Sequence, residues 1–228
     1  ADAMDKTIID YFLTKTDKIK IIPEITANSE GFHMVNGGSV EIEIGNFLYS
    51  LCMLLRPNRI QETGCHFGLS AACMAQALKD NNKGKIVTLE IIPEWVDRAR
   101  ALWKDLELDN VECIQQSSLE YELNEPVELL FLDSEPQLRF DEFNRFWPYV
   151  VPGGFILIHD LSKLGFSKET HHNTFCWPFS DFRKKIGKYI KNIDVQTIEF
   201  STPRGFTLFQ KRKVDFVHTK YLLGEHLD

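Results

Sequence analysis

The chain is predicted to be an α/β protein: a doubly wound, mostly parallel seven-stranded sheet with an antiparallel edge hairpin. Three observations predict it. Short β-rich runs alternate with amphipathic stretches of helical length. The run 127–132 is almost wholly apolar, as a strand covered on both faces should be. Two final β-rich runs, 194–200 and 205–211, are joined by Ser201-Thr202-Pro203-Arg204, a hairpin-like link that reverses one edge strand.

Residues 1–39 are expected to form an N-terminal helical segment on the substrate side, 40–213 the main domain, and 214–228 a C-terminal tail. That tail lies outside the strand–helix scheme and is free to dock on the body or on a second subunit of a homo-oligomer. In the main domain, Ile44, Phe47, Leu48, Leu51 and Leu55 have helical spacing, and Arg56-Pro57 closes that helix. Residues 59–63 read as the first strand and turn at Gly64, and 69–78 read as a helix stopped by Asn81-Asn82-Lys83-Gly84. Residues 85–91 form the second strand, and Pro93 suits the first turn of a helix reaching about Leu106. The third strand is 111–115 and the fourth 127–132. A helix over 140–149 follows, then a turn at Pro152-Gly153-Gly154, the fifth strand at 155–159 and a helix over 179–190.

With 228 residues, 43% of them hydrophobic, the chain can bury one large core. No run approaches the roughly 18 apolar residues of a membrane span, and the N-terminus lacks the order of a secretory signal. Cysteines 52, 65, 73, 113 and 176 form no C-x-x-C pair, so buried free thiols in a reducing compartment are expected. A net charge of −7 argues against a general grip on nucleic acid. The expected setting is cytoplasmic, with a small-molecule or glycan substrate and neither membrane nor nucleic acid as partner.

The first strand runs into Gly64-x-x-x-Gly68 and then a helix. Glycines there let the backbone pass close to a ligand, and the helix N-terminus offers free N–H groups. Glu90 ends the second strand, 22 positions after Gly68, where an acid accepts hydrogen bonds from ribose hydroxyls. Residue 66 is His, so the Gly-x-Gly-x-x-Gly spacing that a pyrophosphate wants is absent. A nucleoside ligand without phosphates fits better.

Glu62-Thr63-Gly64-Cys65-His66-Phe67-Gly68-Leu69-Ser70 resembles the first motif of class I S-adenosylmethionine-dependent methyltransferases, which have a Rossmann-like fold. Within that class it is similar to the catechol and caffeoyl-CoA O-methyltransferase branch, with its E-x-G-x-x-x-G-x-S pattern. Glu43-Ile44-Gly45-Asn46-Phe47-Leu48 is similar to that branch's E-E-G-Q-F-L segment, and Pro152-Gly153-Gly154-Phe155 to its P-G-G turn. The resemblance spans about residues 35–162. It implies S-adenosylmethionine as cofactor, with Glu62 and Gly64 along the methionine moiety, Glu90 on the ribose, and Ser117 and Ser118 near adenine. Gly68 and Ser70 belong to the motif, His66 lies inside its loop, and Asp133 is counted among the cofactor-side residues.

Asp133 ends the fourth strand and His159-Asp160 end the fifth, so the three converge where ligands bind a parallel sheet. Asp133 and Asp160 could hold a divalent cation such as magnesium, which would lower the pKa of an acceptor hydroxyl. Metal-dependent members of the branch carry an Asp at the position resembling Asp133 and an Asp-Asn pair after the fifth strand. His159-Asp160-Leu161 departs from that pattern toward antibiotic- and sugar-tailoring relatives. Without a metal, His159 or a histidine of the connection 162–180 would act as base. Asp133, His159 and Asp160 are therefore the catalytic candidates. In the same connection, Trp177 is the candidate acceptor contact, and His171 reads as a surface residue. The expected activity is methylation of a hydroxyl on a small metabolite or sugar. The rival readings are a catalytically silent S-adenosylmethionine-binding or dimerising module and a nicotinamide oxidoreductase.

Overall fold

The computed structural model describes residues 7–22, 33–35, 39–161, 195–200, 202 and 204–212. Helix α1 (Ile8–Leu13) starts at a reciprocal cap, in which Thr7 Oγ1 accepts from Asp10 N and the Asp10 carboxylate accepts from Thr7 N. A two-stranded ribbon of β1 (Ile21–Ile22) and β2 (Met34–Val35) follows, where the sequence reading expects only a helical segment. Two residues per strand leave no periodicity to read.

Helix α2 (Ile42–Leu55) ends where Arg56 takes φ 50° and donates its N–H to Cys52 O. That left-handed stop, with Pro57 behind it, is the predicted closure. The remaining elements are β3 (Arg59–Thr63), α3 (Leu69–Asp80), β4 (Lys85–Glu90), α4 (Pro93–Asp105), β5 (Val111–Gln115) and β6 (Val127–Leu132). After these come α5 (Arg139–Phe146), β7 (Val150–His159), β8 (Val195–Phe200) and β9 (Phe206–Lys211). The α5 helix stops short of the predicted 149 because Pro148 has no N–H to continue the ladder; Trp147–Tyr149 form one 3₁₀ turn instead.

The seven strands lie in the order β5-β4-β3-β6-β7-β9-β8. Pairs from β5 to β7 are parallel, while β7–β9 and β8–β9 are antiparallel. This is the predicted doubly wound, Rossmann-like sheet with an antiparallel pair at one edge. Chain order reverses direction between β3 and β6, which opens a crevice at their C-terminal ends. Helices α1–α3 bury Phe12, Leu48, Met74 and Ile60 on one face of the sheet; Phe143, Phe146 and Phe209 fill the other.

Pro152-Gly153-Gly154 makes the predicted turn, but inside β7, which starts at Val150 rather than at 155. Gly153 takes φ 84°, and the β6–β7 partners jump from Val127–Val150 to Leu129–Phe155, so residues 151–154 fold out of the ladder as a turn-like irregularity in the strand. Gln210 Nε2 on β9 donates to Gly153 O at 3.2 Å and ties the irregularity down. The predicted helix over 179–190, the whole connection 162–180 and the tail 214–228 lie outside the described residues. Among the described residues no helix is long and apolar enough to cross a membrane. Cys52, Cys65, Cys73 and Cys113 are buried free thiols, as expected.

Candidate active site

The C-terminal ends of β3 to β7 surround a cleft of about 430 Å³. Gly64, His66, Ser70, Glu90, Ser117, Ser118, Asp133 and Asp160 of the predicted residues line it. Glu62, Gly68 and His159 stand behind the wall, and Trp177 lies outside the described residues.

The loop after β3 is pinned on both sides. Gly64 N and Cys65 N both donate to Leu89 O on β4, at 3.0 and 3.1 Å, while Asp133 N donates to Thr63 O at 3.0 Å. Gly64 has φ 78°, and a Cβ on it would fall 2.3 Å from Asp133 O. Gly68 has φ 82°, and its carbonyl accepts from Trp103 Nε1 on α4 at 2.9 Å. Both glycines are thus required by backbone conformation and by close approach. Gly64→Ala is expected to lose at least about 1–3 kcal/mol through the left-handed backbone alone. The clash with Asp133 adds to that, and a urea melt together with cofactor titration measures both consequences.

Glu90 sits as predicted at the end of β4. Its Oε2 accepts from His66 N at 2.9 Å, and its Oε1 from Ile91 N and Ile92 N at 2.9 and 3.1 Å. These bonds fix the carboxylate at the cleft wall, and Oε2, which accepts only one of them, keeps a lone pair for a hydroxyl. Ile91, Ile92 and Trp95 form an apolar wall beside it, and Ser117 and Ser118 close the far end. Ser118 Oγ donates to Glu142 at 2.5 Å, and Thr63 Oγ1 donates to the same buried carboxyl at 3.0 Å. The imidazole of His66 meets Trp95 edge-on at 4.7 Å, and its pKa is pushed down to about 4 by burial, with Arg98 and Arg204 adding to the effect. At neutral pH it is an uncharged wall.

Glu62 is fully buried. Ser70 Oγ donates to its Oε1, and its Oε2 has no hydrogen-bond partner. Burial raises its pKa to about 8 from a usual 4.5. A raised folded-state value contributes stability below the unfolded value that is lost as pH rises through the folded one. The cofactor-free protein is therefore expected to lose stability between about pH 4.5 and about pH 8 from this group. Glu62→Gln should flatten that part of the thermal-melt profile, and an unchanged slope would count against a protonated Glu62.

The floor of the cleft is a network of charges. His159 is 0% exposed, with Nε2 2.8 Å from Glu41 Oε2 and Nδ1 3.0 Å from Asp133 Oδ1. Burial alone would lower its pKa, but the carboxylates of Asp160, Asp133 and Glu41 together hold it well above the usual imidazole value. Both ring nitrogens are thus donors, which leaves no lone pair for a base. Asp160, at φ 55°, accepts from Arg139 Nη2 at 3.1 Å and from Arg204 Nε at 3.0 Å. Burial opposes its ionisation, yet His159, Arg204 and Arg139 hold its carboxyl well below the usual range. Arg139 also donates to His159 O, to Ser134 O and, at 3.4 Å, to Asp133 Oδ1. Arg204 donates to Ser39 O at 3.0 Å and lies 3.8 Å from Glu41. Three carboxylates, on Glu41, Asp133 and Asp160, thus face three cations, on His159, Arg139 and Arg204.

Ligand atoms of Asp133, His159 and Asp160 lie within 4.8 Å of one another, a spacing that suits a small ion. The donor set does not fit one. His159 has no free nitrogen, and the carboxylate oxygens that face each other are already met by two guanidinium groups. A dication placed there would sit against like charge with no uncompensated negative charge to hold it. Sequence reasoning found Asp133, His159 and Asp160 but not Glu41, Arg139 or Arg204. The available signal for Arg204 is topological: the reversed strand β9 begins where its parallel neighbours end.

Residues 61–161 match a family model described as a methyltransferase domain. A stretch of 86 residues is 35% identical to protein-L-isoaspartate O-methyltransferase 2 of Archaeoglobus fulgidus, covering 36% of this chain and 38% of that protein's length. The fold is similar to that of the SAH-bound Podospora anserina methyltransferase PaMTH1, with a TM-score of 0.66 at 16% identity over 90% of this chain and 94% of that one. It is also similar to the O-methyltransferase TomG of Streptomyces achromogenes, involved in tomaymycin synthesis and solved with SAM. There the TM-score is 0.61 at 19% identity, over 78% of this chain and 83% of that one.

Proposed function

We propose that this chain, a Rossmann-like methyltransferase by its fold and its matched domain, uses S-adenosylmethionine to methylate a hydroxyl of a small metabolite or sugar. The observation that carries this reading is the position of Asp133. Asp133 lines the cleft at the end of β6, with its backbone packed against Gly64 of the pinned loop and with Glu90 and Trp95 lining the same cleft. Structures with this fold that hold SAH or SAM support the cofactor, and the O-methyltransferase TomG among them supports oxygen as the acceptor atom. When bound, the cofactor supplies an electrophilic methyl group on a sulfonium. Asp133 would take the proton of the acceptor hydroxyl as that oxygen becomes methylated. His159 and Asp160 act through Asp133, since neither has a free basic atom facing the acceptor. A cleft of about 430 Å³ suits a cofactor and a small acceptor.

Calorimetry with S-adenosylmethionine and with NAD tests the cofactor, and labelled methyl transfer to a panel of phenols, sugars and alkyl alcohols tests the acceptor. The isoaspartate-methylating relative is reason to include a carboxylate in that panel. Binding of the sulfonium ligand with transfer to a hydroxyl is the expected result. NAD binding without it would overturn the reading, and binding without transfer to any acceptor would favour a silent module.

A further inference from the structure

We propose that Arg139 and Arg204 are positioning residues that occupy the place a divalent cation would take, so that the site works without a metal. The proposal rests, for its functional meaning, on the reading of the cleft as the site of methyl transfer. Its physical content is independent of turnover.

The two guanidinium groups meet on the strand-end carboxylate of Asp160, one at each oxygen. Arg139 comes from the start of α5, is 4% exposed, and bridges Asp133 Oδ1 and Asp160 Oδ2 through one nitrogen at 3.4 and 3.1 Å. Arg204 comes from the turn before β9 and places Nε 3.0 Å from Asp160 Oδ1, the other oxygen of the same group. Both oxygens of Asp160 are therefore held by guanidinium, and one oxygen of Asp133 is shared between Arg139 and His159. Backbone carbonyls fix the arginines in turn: Ser134 O and His159 O for Arg139, and Ser39 O for Arg204. A metal supplies positive charge with labile coordination sites. These arginines supply positive charge with fixed geometry and no open site, leaving the second oxygen of Asp133 for the acceptor.

Manganese binding, read by depletion of the free-ion EPR signal, tests this on the full chain without any acceptor. Wild type should leave the signal of added Mn²⁺ undiminished, with or without SAH. Arg204→Ala removes one cation from the carboxylates and should raise Mn²⁺ affinity about tenfold or more. Arg204→Gln, which keeps the side-chain length, is measured alongside so that one folded variant is available, with folding checked by a cooperative thermal melt. A gain of Mn²⁺ binding is not what a merely structural arginine would give. Stoichiometric Mn²⁺ binding by wild type that Asp133→Asn abolishes would overturn the proposal, as would folded Arg204 variants that bind no more than wild type. Failure of S-adenosylmethionine to bind would sink the functional reading and leave this result standing.

Discussion

Asp133→Asn should lower methyl transfer by about 10²–10⁴-fold, the usual contribution of a positioned base. The amide keeps the shape of the carboxylate and still accepts from His159 and Arg139, so affinity for S-adenosylmethionine should change little. The loss should therefore appear in kcat, measured with the first acceptor that the labelled panel identifies. A variant that keeps wild-type kcat but loses cofactor affinity would move Asp133 from catalysis to cofactor binding. The effect is expected to be large because the neighbouring imidazole cannot substitute: its two nitrogens are spent on Glu41 and Asp133.

His159→Leu should destabilise the fold by about 3–5 kcal/mol, because it removes the shared partner of buried Glu41 and half-buried Asp133. At this chain length that is a drop in melting temperature on the order of 10 °C. Most of the cost falls on Glu41, which is 2% exposed and would keep only Arg204, at 3.8 Å. Glu41→Gln combined with His159→Leu should recover part of it, and a double-mutant cycle of melts reads the coupling. Additive effects would mean that the two groups do not share a proton-bridged contact.

The cofactor side of the cleft was legible because its signals are local. Gly64, Gly68 and Ser70 fall within one turn, and Glu90 is the last residue of the next strand, so strand and helix periodicity place them without knowledge of distant contacts. The catalytic floor was only half legible. Asp133 and Asp160 are strand-end acids, a position that parallel sheets make meaningful. Glu41 meets His159 across 118 residues of chain, and Arg204 meets Asp160 across 44, so their roles exist only once the strand order is known. An Arg at 139 before an amphipathic helix reads as a solvated charge, and nothing in its neighbours says that it turns inward to meet the carbonyls of Ser134 and His159. The Pro152-Gly153-Gly154 turn was legible, but not that the strand begins before it: Val150 pairs with Val127 and the ladder resumes at Phe155, which only the register of β6 and β7 reveals.

The reversed strand β9 also bears on how the molecule assembles. Its pairing with β7 carries Arg204 to the site from 165 positions beyond Ser39, so the floor joins nearly the whole described span of the chain. During synthesis, β3 to β7 would be complete while Glu41, Asp133 and Asp160 still lacked one of their cations. Contacts of that separation are slow to form. A nascent chain ending before β9 would hold an excess of negative charge at the mouth of an otherwise formed sheet. Arrival of β9, which pairs between β7 and β8, would therefore neutralise the floor late, so that the charge network is completed only with the described sheet.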